Sequence, residues 1–70
     1  MHPRELGDDE RRVLRLAATG LATTEIADTL GWSRKRVRSA IVGAIETLGA
    51  SSKLEALIVA YRRGELGDAV

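Results

Sequence analysis

Thr23 to Leu48 reads TTEIADTLGWSRKRVRSAIVGAIETL, and its pattern leaves a chain of this size few ways to fold. Ile26, Ala27 and Leu30 fall at i, i+1 and i+4, on one side of a short helix. Thr23 is the expected N-cap, its hydroxyl able to accept from an orphan first-turn N–H. Gly31 follows the helix, at a position where positive φ costs little. Ser33 then caps a second helix, and Val37, Ile41, Ala44, Ile45 and Leu48 run down one stripe of it. The opposite side carries Lys35, Ser39, Val42 and Glu46, with Arg36 and Arg38 on its flanks. Two helices joined by a turn of a few residues, the second with a basic outer side, make a helix-turn-helix. The second helix of such a unit is suited to the DNA major groove.

The overall charge of +1 says nothing about nucleic acid, but its distribution does. Residues 1–31 carry −2, residues 32–48 carry +3 and residues 49–70 are neutral. Arg34, Lys35, Arg36 and Arg38 hold the excess at the start of the second helix. Such a cluster is an electrostatic footprint for phosphate. Without an anionic partner it also opposes the helix macrodipole.

The rest of the chain supports this unit. Seventy residues make one domain, with a small core and a stability of a few kcal/mol. There is no cysteine, so no disulfide or zinc–thiolate cluster helps to hold it. No apolar run is long enough to span a bilayer and no signal-peptide core is present, so a soluble cytoplasmic protein without membrane contact is expected. Strand signals are weak, and the expected class is all-α. Residues 1–5 form a leader, 6–66 the domain and 67–70 a tail. In the first helix Gly7 or Asp8 caps, Asp9 and Glu10 favour the positive end, and Val13, Leu14, Leu16 and Ala17 face inward until Gly20 ends it. The cluster Asp8-Asp9-Glu10 reads as a helix start rather than a metal site. Trp32, flanked by Leu30 and Val37, is expected to cover the core rather than stack on a base. Gly49 ends the long helix, and Ser52-Lys53-Leu54-Glu55 fits a capping box opening a fourth. That helix runs to about Arg63. Its expected core side is Leu54, Leu57, Ile58 and Tyr61. Ala56, Val59 and Ala60, with Arg63 beyond, form a second strip whose small residues suit close approach of an identical helix. A homodimer through the fourth helix is expected on that strip.

These residues carry a resemblance. The stretches ERRVLRLAATGLATTEIADTLGWS, VRSAI and LGASSKLEALIVAYRRGEL resemble the LuxR/GerE-type helix-turn-helix domain, also found at the C-terminus of NarL/FixJ-type response regulators. The likeness runs from Leu6 to Leu66. It implies four helices, with the third in the major groove and the fourth dimerising. It also implies that Arg38, Ser39 and Val42 meet bases or nearby phosphates. The chain departs from the family pattern at several positions. Arg36 stands where threonine is usual, and Ala40 where histidine is. Val42 replaces a residue often polar or basic, and Glu46 and Thr47 replace residues often basic. Gly7-Asp8 stands for the usual capping threonine and proline. SRKRVRSAIVGAIETL is also similar to the DNA-reading helix of sigma-factor region 4, whose family generally lacks such a fourth helix.

An enzyme is not expected. His2 is the only histidine, no acidic pair is set in a pocket, and the glycines are helix ends apart from Gly43, so no phosphate loop, metal or cofactor is implied. The expected function is a dimeric, sequence-specific regulator of transcription on double-stranded DNA. Arg34, Lys35 and Arg36 would contact phosphates, with Thr23, Thr24 and Ser33 adding contacts. Arg38 would read a guanine, Ser39 a neighbouring base edge and Val42 a thymine methyl. The alternative is a protein-interaction module that contacts RNA polymerase or a second regulator, with weak or no DNA binding.

Overall fold

A computed structural model describes residues 5–67. Four helices follow one another: α1 (Asp8–Ala18), α2 (Thr23–Leu30), α3 (Arg34–Leu48) and α4 (Lys53–Arg62). No strand occurs among the described residues, and the chain is all-α as its pattern predicts. Residues 1–4, including His2, and residues 68–70 lie outside the described part. Glu5 and Gly67 are exposed at its two ends.

Each helix start is closed by a short polar arrangement. At α1 the cap is Gly7, whose N–H donates to Glu10 Oε1 at 3.0 Å. At α2 the expected cap, Thr23, is already the first helical residue, and Ala22 occupies the cap position. Alanine has no acceptor, so the junction is closed from inside the helix: Glu25 Oε1 accepts from the Ala22 N–H at 2.9 Å. Ser33 caps α3 as expected, its Oγ accepting from the Arg36 N–H at 3.1 Å. Ser52 does the same for the Glu55 N–H at 3.1 Å. The Glu55 carboxylate reaches one residue further out than a capping box requires, accepting from the Ser51 N–H at 3.1 Å and Oγ at 3.2 Å.

The turn between α2 and α3 decides where α3 points. Gly31 sits at φ 69°, the left-handed region that an L side chain enters with strain. This lets the Gly31 N–H donate to Asp28 O at 3.3 Å and the Trp32 N–H to Ala27 O at 2.9 Å. The paired bonds satisfy two of the last carbonyls of α2 and turn the chain sharply into α3.

α3 is the hub, packed against each of the other three helices. One part of the core lies under α1, α2 and α3, where Val13, Ala17, Ile26, Ala27, Val37 and Ile41 meet. The half-buried Trp32 packs on its edge. A second part joins Leu14 of α1, Ala44 of α3 and Ala60 of α4 to Leu6 and Leu66 from the two ends of the domain. Polar contacts hold those ends together. Arg11 donates to Glu65 Oε1 at 3.2 Å and to Leu6 O at 3.4 Å, and Arg15 Nε donates to Glu65 O at 3.3 Å.

The inward face of α4 differs from the one expected: of the expected core side only Leu57, half-buried, packs against the core. Ala56 and Ala60 are fully buried, whereas Leu54, Ile58 and Tyr61 are 68%, 44% and 62% exposed. Ala56 and Ala60 therefore cannot form an interface with a second copy. Small side chains face inward here because Ala44 of α3 meets Ala60 of α4, so the two helices lie close. A leucine or tyrosine in that line would force them apart. Val59 is half-buried between the two faces. Arg63 is exposed, its Nη2 3.8 Å from Glu65 Oε2.

Candidate nucleic-acid interface

The packing of α3 fixes which of its residues are available. Val37, Ala40, Ile41 and Ala44 are buried, so the opposite stripe is presented outward. Lys35, Arg38, Ser39, Val42 and Glu46 are all exposed and, with Gly43, line one shallow open depression of about 410 Å³. Spacings of three, four and seven residues along a 3.6-residue turn bring these side chains to one side. Arg34 and Lys35, in the first turn, are exposed. Thr24 is exposed and Thr23 half-buried at the start of α2. Ser33 keeps its hydroxyl hydrogen free to donate while its oxygen caps α3.

Val42 is the one large apolar residue on this face, at 54% exposure. Gly43 lies beside the Glu10 carboxylate. A Cβ there would overlap Glu10 Oε2 and stand 3.3 Å from its Cδ. Glycine thus lets the carboxylate that caps α1 lie against α3.

Arg36 has partners within the fold. Its Nη2 and Nε donate to Asp9 Oδ2 at 3.0 Å and 3.3 Å, which ties α3 to the first turn of α1. Its guanidinium carbon also lies 3.7 Å from the centroid of the Trp32 ring. An ion pair about half exposed contributes at most about 1 kcal/mol, and an exposed cation–π contact about as much. The pair accounts for arginine where the family pattern has threonine. It also covers the indole, so Trp32 packs on the core rather than offering a free ring.

The apolar strip of α4 lies apart from this face. Leu54, Ile58 and Tyr61 recur at helical spacing on one exposed side. Ile58 and Tyr61 also border an apolar depression of about 300 Å³ with Ala17, Ala18, Leu57 and Leu66.

The model for bacterial regulatory proteins of the luxR family matches residues 4–60, most of the chain. The chain belongs to the LuxR family. The spore germination protein GerE of Bacillus subtilis (strain 168) is 39% identical over 57 residues, which cover 81% of this chain and 77% of GerE. The transcriptional regulatory protein YdfI of the same organism is 37% identical over 62 residues, 89% of this chain but only 29% of YdfI. The chain thus spans under a third of that longer relative. The solved structure of the transcription factor GerE superposes with a TM-score of 0.81 at 33% identity, covering 89% of this chain and 94% of that one. The family is one of DNA-binding regulators of transcription, not of enzymes. No helix among the described residues is long and apolar enough to cross a membrane.

Proposed function

We infer that this LuxR-family chain binds double-stranded DNA as a homodimer, with α3 in the major groove and α4 at the two-fold axis. The observation that carries the reading is the exposed stripe of α3. It offers cations, a hydroxyl and one apolar side chain on a helix whose other face is fully used by the core. Arg34 and Lys35 contact phosphates and fix the register, and Thr24 and Ser33 add hydroxyl donors at the two helix starts. Arg38 offers a fork to guanine O6 and N7, Ser39 meets the neighbouring base edge and Val42 a thymine methyl. Arg36 acts by holding α3 against α1 through Asp9. The dimer surface is Leu54, Ile58 and Tyr61, because these are the exposed apolar residues of α4. A cytoplasmic setting suits a regulator that acts on DNA.

Two measurements test this. Binding to a pool of random duplexes should fall steeply between about 50 and about 200 mM salt. Selection from the same pool should enrich a site with two related halves, one per subunit. Affinity that ignores salt, or selection that enriches nothing, would argue instead for a module that contacts RNA polymerase or a second regulator.

A further inference from the structure

We propose that Glu46 is a specificity-determining residue, accepting a hydrogen bond from the amino group of a cytosine in the major groove; this rests on the DNA-binding reading above. Three observations point there. Glu46 is exposed and lines the same depression as Lys35, Arg38, Ser39 and Val42, so whatever enters that depression meets its carboxylate. Among the described residues it forms no ion pair and no side-chain hydrogen bond: Arg36 faces Asp9, and Arg11 faces Asp8 and Glu65. Its place also serves α3 poorly. It lies three residues before the closing Gly49, near the negative end of the helix macrodipole, where a carboxylate is unfavourable. Neither a partner within the fold nor helix stability accounts for it.

An ionised carboxylate only accepts hydrogen bonds. In the major groove the donors are the N4 amino group of cytosine and the N6 amino group of adenine. Guanine offers N7 and O6, thymine offers O4, and all three are acceptors. A cytosine there therefore gains a charge-assisted bond, while guanine or thymine sets acceptor against acceptor and the nearby phosphates repel. Arg38 and Glu46 are eight positions apart, about 12 Å along the helix, or about three to four base-pair steps. A guanine read by Arg38 and a cytosine read by Glu46 are thus expected at that separation in each half-site.

The test is selection from a duplex library with about 20 random base pairs, using the wild type and Glu46→Gln. The variant keeps the size and removes the charge, and circular dichroism confirms its helicity. Wild type should fix a cytosine about three to four positions from a guanine. Glu46→Gln should lose that preference or move it to adenine, which glutamine reads through N6 and N7. Its other preferences should persist, and discrimination at the one position should fall about tenfold. Random-duplex affinity should rise several-fold as a repulsive charge is removed. If the variant selects the same sequence and merely binds every duplex more tightly, Glu46 is a bystander charge and the proposal is overturned while DNA binding stands. A wild type that enriches no sequence overturns both.

Discussion

Leu54→Asp separates the fold of this domain from its assembly. Leu54 is the second residue of α4 and is 68% exposed. Full burial of a leucine side chain contributes about 1.5–3 kcal/mol, so the exposed two-thirds could contribute about 1–2 kcal/mol in an interface. A two-fold contact counts it twice, giving about 2–4 kcal/mol, or roughly 30- to 700-fold in the dimer dissociation constant. Desolvating the new carboxylates adds to this. The monomer should hardly notice. An aspartate in the first turn of a helix meets the positive end of the macrodipole, which is stabilising by a few tenths of a kcal/mol. We therefore expect Leu54→Asp to sediment as a monomer with helicity intact and a melting temperature within a few degrees of wild type. Ala60→Asp is the contrast, since Ala60 is fully buried and a carboxylate there should unfold the domain. Sedimentation equilibrium and thermal melts followed by circular dichroism read both effects. Unchanged dimerisation of Leu54→Asp would remove α4's apolar strip from the interface. A folded Ala60→Asp would show that the inward face of α4 is misassigned.

Three further expectations follow from the geometry. Arg38→Ala should weaken specific binding by about 1–3 kcal/mol and relax one base pair per half-site, whereas equal losses on specific and random duplex would make Arg38 a phosphate contact only. Lys35→Ala should lower affinity nearly uniformly and reduce the slope of log K against log salt by about 1 per subunit; a changed base preference at constant slope would contradict this. Gly43→Ala should gain about 1 kcal/mol of helix propensity and lose a similar amount as Glu10 is pushed from the Gly7 N–H, for little net change. In a Glu10→Ala background the same substitution should stabilise by about 1 kcal/mol, and denaturant titrations showing no such difference would mean that Glu10 does not explain the glycine.

The parts of this fold legible in the sequence are those specified locally. Gly31, Ser33 and the apolar stripe from Val37 to Leu48 each act within a turn or two, so the bounds and buried side of α3 follow from the pattern. The exposed stripe from Lys35 to Val42 follows as its complement. The face of α4 does not. That helix is apolar nearly all round, with Leu54, Leu57, Ile58 and Tyr61 on one arc and Ala56, Val59 and Ala60 on another. Periodicity then offers two candidate faces, and side-chain size favours the one of which only Leu57 packs on the core. What decides is the partner: Ala44 of α3 and Ala60 of α4 share one buried cluster. Arg36 is hidden for a related reason. Its acceptor, Asp9, lies 27 positions away and meets it only once α1 and α3 have packed.

Where α3 breaks local rules also separates fold from function. Arg34 and Lys35 stand at its positive end and Glu46 near its negative end, so these charges oppose the macrodipole at both termini. A helix under selection for stability alone would carry the reverse pattern, as α1 does with Asp8, Asp9 and Glu10 in its first turn and Arg15 in its last. The conflicts with helix chemistry fall mainly on the outward stripe, while the inward side has no buried charge and one polar exception, Thr47, whose Oγ1 is buried without a hydrogen-bond partner among the described residues. Arg36 is the instructive case. It shares the adverse position of its neighbours, yet it has an acidic partner in the fold and accordingly needs no ligand to account for it. Arg34, Lys35, Arg38 and Glu46 have no such partner among the described residues. Unlike Arg36, these four charges face solvent, and on the DNA-binding reading proposed above a stripe that is basic at one end and acidic at the other meets a groove that presents phosphates along its walls and amino groups on its floor.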